Sequence, residues 1–245
     1  LRAFMNREYR PERVVVALCG SFTEPQLQSL ADRFSAMETR PATVLRPGRY
    51  VPARVLRRKS TEQNHLCLAW PGLPTGDARR FAWQLMSTIL GEGLSSRLFQ
   101  TVREKYGLCY SIGSFTASYR ETGLFGVSTA LGRETEARTL SLIREEIEKF
   151  LQDGVREEEL SRARELVKAN LVMGMESTSA RMNRLGASVL QLDGCLSAGD
   201  IIDRYDAVTR EDILSVARQI LDPAALSFSA VGRLAPPEEY EAFLR

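Results

Sequence analysis

Apolar positions along this chain follow two rhythms. Arg13 to Gly20 (RVVVALCG) is a short β-branched run closed by glycine, a buried-strand pattern. The next segment sets Leu27, Leu30, Ala31 and Phe34 at helical spacing behind Thr23, a good N-cap. Three prolines between Glu38 and Pro52 carry no periodicity and mark a linker, set at residues 41–52. Two strands follow, ARVLRRKS and NHLCLAW, the second ended by Pro71 to Pro74. A helix from Asp77 to Leu90 aligns Phe81, Leu85 and Ile89, and another, SSRLFQTVREKY, aligns Leu98, Val102 and Tyr106. GLCYSIGSFTASY alternates at Leu108, Tyr110 and Ile112, and its parity shifts beyond Gly113, which predicts a β-bulge there. A turn at Arg120 to Gly123 then forms a hairpin with LFGVSTAL.

The rest reads as mostly helical. Residues 133–152 bring Leu140, Ile143, Ile147 and Phe150 to one face; residues 157–173 do so with Leu160, Ala163, Leu166 and Val167; residues 177–192 make a third helix. Charge runs such as REEIEK and REEEL are solvated helix faces. Thr209 and Asp212 open a further helix with capping-box spacing, and LSFSAVG is a last strand. Strands grouped early, then a hairpin, then several helices predict an α+β fold with helices packed on a mostly antiparallel sheet.

The end of the chain echoes its beginning. Residues 1–20 align without a gap over residues 213–232, with Pro11 on Pro223 and Gly20 on Gly232. The match is short and mainly one of pattern, so a chance echo and an internal repeat of roughly 200 residues both remain open at this point. On the second reading, residues 1–40 are the strand and helix that end a preceding homologous half, and residues 53–245 are a nearly complete second one.

Composition narrows the function classes. The 245 residues carry 33 basic and 31 acidic side chains, largely interspersed, for a net charge of +2. Such a balance predicts no nucleic-acid partner, and the absence of a long apolar run predicts no membrane partner. Cys19, Cys67, Cys109 and Cys195 form no C-x-x-C pair, and the first three sit in apolar strand-like runs. Buried, reduced thiols of a cytoplasmic protein are the expectation.

Candidate chemistry centres on LGEGLSSRLFQTVREKYGLCYSIGS, Leu90 to Ser114. GEGLSS has neither the third glycine of a dinucleotide loop nor a G-K-[ST] ending, and Ser95 and Ser96 stand where a helix N-cap would. His65 is the sole histidine, so no H-x-x-E-H pair exists and a structural or surface role is expected for it. Arg103 and Tyr110 remain, seven residues apart across a helix–strand junction. They offer a fork of donors and a hydroxyl that suit a peptide carbonyl or a developing oxyanion. By spacing alone the signal is weak, since an Arg at a helix end and a Tyr in a strand are commonplace.

This stretch, followed by ETGLFGVST, resembles the second-half domain of the pitrilysin/insulinase zinc metallopeptidases, which include bacterial zinc proteases and the mitochondrial processing peptidases. The shared pattern is a glycine-containing loop, S-S-R-L-F, R-E-K-x-G-L-x-Y and T-G-x-F, all present here. Later helices and YRPERVVVALCGSF are similar too. The resemblance implies a C-terminal inactive peptidase-like domain over residues 53–245. It would lack zinc itself and would enclose unfolded peptides against a zinc site on a homologous domain or subunit. It further implies that Arg103 and Tyr110 bind substrate, with Gly93, Ser95 and Ser96 shaping the chamber wall. A homodimer through the face the other half would cover is a further expectation. The alternative is a non-proteolytic scaffold subunit of the same superfamily.

Overall fold

The structure, a computed structural model, describes residues 1–37, 39, 47–192 and 194–243. In chain order its longer helices are α1 (Arg2–Glu8), α2 (Glu24–Ser35), α3 (Arg80–Gly91), α4 (Glu136–Asp153), α5 (Glu157–Glu176), α6 (Thr178–Leu192), α7 (Ala198–Asp206), α8 (Arg210–Ile220) and α9 (Pro237–Phe243). Its strands are β1 (Arg54–Arg58), β2 (Asn64–Gly72), β3 (Cys109–Ser118), β4 (Gly123–Leu131) and β5 (Ser227–Gly232). The residues pack as two units, Gly48–Lys168 with Ile202–Arg245, and Leu1–Pro47 with Ala169–Ile201.

The larger unit is built on one sheet in the order β1-β5-β2-β4-β3. β1 runs parallel to β5, and the other described pairs are antiparallel. The pleat sends Leu66, Leu68, Phe125, Val127 and Phe228 to one side, all buried. That side packs on α3 and α8, and α4 lies against α8. The helical periodicity is borne out there: Phe81, Leu85 and Ile89 of α3 and Leu140, Ile143, Ile147 and Phe150 of α4 are all buried. Each such side chain contributes roughly 1.5–3 kcal/mol of burial. The opposite side of the sheet exposes His65 and Ser128. This is the α+β architecture expected.

Several expectations need correction. β2 runs past Ala69 through Pro71 to Gly72. β5 pairs with β2 only from His65 to Ala69, so Pro71 lies where β4 is its single described neighbour, a position that tolerates proline. The bulge sits at Tyr110 and not beyond Gly113: Cys109 pairs with Leu131 and Ser111 with Ala130, leaving Tyr110 as the extra residue. The apolar shift at Phe115 arises because its ring covers Gly126, where no Cβ stands in the way. The cysteines are all free, but Cys19, Cys67 and Cys109 are only half-buried and Cys195 is exposed.

The smaller unit differs most. Residues 14–19 form no strand and pair with nothing among the described residues. A strand needs a neighbouring ladder, and the stretch aligned with them, β5, has one on each side. The two aligned stretches share backbone features. A single-turn 3₁₀ helix occupies Pro11–Arg13 and again Pro223–Ala225. Gly20 and Gly232 both take positive φ, 125° and 148°, and a helix follows each. Residues 169–201 group with this unit. Gly186 of α6 explains the grouping locally, since a Cβ there would lie 3.4 Å from Ala17 Cβ. Of the expected linker, residues 41–46 lie outside the described ones. Within its described part Tyr50 is anchored, its hydroxyl donating to Ala69 O at 2.7 Å.

Candidate functional site

The glycine pattern of the 91–107 segment has conformational causes. At Gly91 a Cβ would collide with Ser114 of β3, so the first glycine permits close approach of α3 and β3. Gly93 has φ +81° and Gly107 φ +61°, left-handed values that favour glycine. Ser96 is buried, and its hydroxyl donates to Gly93 O at 2.8 Å. It therefore ties the loop to itself instead of facing a ligand. Ser95 is exposed.

Downstream, Phe99–Lys105 winds as a π-helix where a regular α-helix was expected. Leu98 and Val102 are buried as predicted, whereas Tyr106 is 42% exposed. Gly107 N–H donates to Arg103 O and Leu108 N–H to Val102 O, both at 3.1 Å, and the chain turns straight into β3. A π-helix and a β-bulge are both uncommon irregularities that re-aim side chains. Here they flank one pair. Arg103 Cζ lies 5.9 Å from the Tyr110 ring centroid and 5.0 Å from that of Phe99. Tyr110 is 71% exposed, Arg103 is exposed, and neither makes a side-chain hydrogen bond or ion pair among the described residues.

Gly93 and Ser95 belong to a second place. With Glu92 and Leu94 they line a groove whose far wall is Arg162, Glu165 and Leu166 of α5. Neither Arg103 nor Tyr110 lines it. Leu166, expected in the core, is 40% exposed at this groove. Glu92 was not singled out from the sequence. Its carboxylate accepts from Gln84 Nε2 at 3.0 Å and Ser87 Oγ at 2.7 Å, which holds it rigidly at the end of α3.

The loop is fastened by Arg97. Its guanidinium forks onto Glu159, Nε to Oε1 at 2.9 Å and Nη2 to Oε2 at 2.7 Å, and also donates to Gly154 O at 2.7 Å. It stacks on Phe150 at 4.8 Å. Burial pushes the Glu159 carboxyl up, but the hydrogen bonds from Arg97 and Arg156 outweigh it and hold the group down at about 2.

A metal finds no such preparation. His65, the one histidine, is exposed on the open side of the sheet, and no group of three or more His, Cys, Asp or Glu among the described residues is placed to hold an ion. The described residues do not fit a zinc site.

Comparison with known proteins decides the family. Residues 1–167 match the model described as the peptidase M16 inactive domain. The chain belongs to the peptidase M16 family. An uncharacterized zinc protease of Streptomyces coelicolor is 36% identical over 244 residues, covering 96% of this chain and 53% of that protein. One from Bacillus subtilis is 33% identical over 221 residues, covering 90% and 54%. This M16 chain thus spans about half the length of the curated relatives it matches. A crystal structure of a peptidase M16 inactive domain from Pseudomonas fluorescens superimposes with a TM-score of 0.75 at 22% identity, covering 88% of this chain and 53% of that one. A conserved Enterococcus faecalis protein gives 0.72 at 24%, covering 86% and 50%. The M16 inactive domain therefore carries the non-catalytic fold of the zinc-protease family, and no described helix is long and apolar enough to cross a membrane.

Proposed function

We propose that this M16 inactive domain is the substrate-binding, non-catalytic half of a zinc metalloendopeptidase. The observation that carries the reading is the Arg103–Tyr110 pair, exposed, unpaired and set in place by a π-helix on one side and a β-bulge on the other. Arg103 supplies forked donors and Tyr110 a hydroxyl, which together orient a peptide carbonyl and favour the negative charge that develops on its oxygen. The Gly93–Ser95 groove forms part of the wall that encloses the unfolded peptide, and Ser96 and Arg97 keep that wall in shape. Zinc resides on a homologous half, in the same polypeptide or in a separate subunit. Four free cysteines fit a reducing cytoplasm.

The test is peptide cleavage by the chain assembled with its zinc-bearing half. Arg103→Ala or Tyr110→Phe should lower turnover by about 10²-fold, as loss of one oxyanion donor does, with thermal unfolding unchanged. Full turnover in both variants would remove the site assignment. An assembly without any peptidase activity would favour the scaffold alternative.

A further inference from the structure

The overall charge balance conceals one lopsided stretch. Between Glu38 and Glu62 the sequence holds seven Lys and Arg residues and no carboxylate side chain. Four of them, Arg54, Arg57, Arg58 and Lys59, lie on β1 or directly after it, and all four are exposed. None pairs with a carboxylate among the described residues. Arg58 reaches only the Ala235 carbonyl, at 3.4 Å.

β1 is also an edge. It pairs with β5 on one side and ends the sheet on the other, at the opposite edge from Tyr110 on β3. Ala53 O accepts from Phe228 N–H, and Lys59 N–H donates to Gly232 O, both at 2.9 Å. Odd-numbered residues of the strand thus spend their backbone groups on β5. By the alternation of a parallel ladder, Arg54, Leu56 and Arg58 turn their N–H and C=O groups outward. The side chains alternate as well. Leu56 pairs with buried Ala230 on the helix side of the sheet, while Arg57 pairs with Val231 in line with His65 on the open side. Cations therefore project above and below a backbone edge that no strand pairs with among the described residues.

We propose that β1 is a docking edge for an extended acidic polypeptide segment, which adds as a strand beside it. The outward amides and carbonyls supply the ladder, and carboxylates on both faces of the incoming strand meet Arg54 and Arg58 on one side and Arg57 and Lys59 on the other. A nucleic acid fits less well. Its phosphates would call for cations on one face, and β1 has no aromatic side chain for base stacking. The inference does not depend on the Arg103–Tyr110 reading.

The experiment uses the whole chain and a fluorescent octapeptide of Glu and Val, followed by anisotropy, with amide hydrogen exchange read by NMR. The peptide should bind at low salt and weaken as salt is raised. Binding should slow exchange at Arg54, Leu56 and Arg58, and Arg57→Gln with Arg58→Gln should weaken it about fivefold with the fold intact by circular dichroism. A peptide N-methylated at alternate amides should fail to bind. Equal binding of the N-methylated peptide, unslowed exchange at the three amides, or no binding at all would overturn strand addition. Tighter binding of oligothymidylate than of the peptide would assign the edge to nucleic acid instead.

Discussion

Replacing Glu159 by Gln should weaken the larger unit by about 3 kcal/mol at neutral pH, and the deficit should fade in acid. The side chain of Glu159 is only 5% exposed and faces Arg97 at 13%. Removing one partner of so buried a pair costs about 3–5 kcal/mol, because the other charge is left without compensation. An independent route gives a similar figure. The carboxyl moves from an ordinary 4.5 to about 2 in the folded chain, and at about 1.4 kcal/mol per unit this amounts to about 3 kcal/mol. The folded value lies below the unfolded one, so the contribution is complete above 4.5 and drains away as pH falls toward 2. Urea unfolding of wild type and Glu159→Gln, followed across the acid range, isolates this group from the other carboxylates. The gap between the two proteins should shrink from about 3 kcal/mol at neutral pH to roughly half that near pH 3. A gap that stays constant with pH would show that Glu159 acts by packing alone. Arg97→Lys should lose part of the same stability, since an ammonium cannot reproduce the fork.

Two further substitutions probe local causes. Thr209→Ala removes the acceptor that holds Asp212 N–H at 3.1 Å and should cost about 1 kcal/mol in unfolding free energy; an unchanged urea midpoint would mean the capping box is idle. Gly123→Ala should destabilise by about 1–3 kcal/mol, because a Cβ there runs into the backbone of Leu73, while Gly76→Ala, open on all sides, should stay within about 0.5 kcal/mol of wild type.

The readable parts of this fold are those in which one physical cause acts alone. Burial against the sheet set the spacing of Phe81, Leu85 and Ile89, and that spacing announced α3. Thr209 and Asp212 announced α8 because a capping box is a local device. Residues 14–19 show the limit. Their β-branched run matches β5 in composition, yet a ladder is a property of two strands, and pattern cannot say whether the second is adjacent. Leu166 misled for a related reason: helical spacing identifies a face, but the element opposite that face here is the Gly93 loop, which leaves it open.

The sequence named the residues proposed for the site but did not show how they are arranged. Arg103 and Tyr110 could be picked out, but their exposure rests on a π-helix and a bulge, and neither has a strong sequence signature. The parity shift at Phe115 suggested a bulge beyond Gly113 but has another cause, the ring over Gly126, and the bulge in the register lies earlier, at Tyr110. That position matters chemically. A bulge at Gly113 would leave Tyr110 paired in the ladder. A bulge at Tyr110 instead frees it from cross-strand pairing and leaves both it and Ser111 exposed. If that freedom is what the site uses, deleting Tyr110 outright should straighten β3 and keep the fold, because Cys109 and Ser111 already pair with successive residues of β4. Such a variant should retain the thermal stability of the parent and lose peptide turnover as fully as the Arg103→Ala protein. Retained turnover in the deletion would show that the bulge, and the tyrosine it carries, are dispensable.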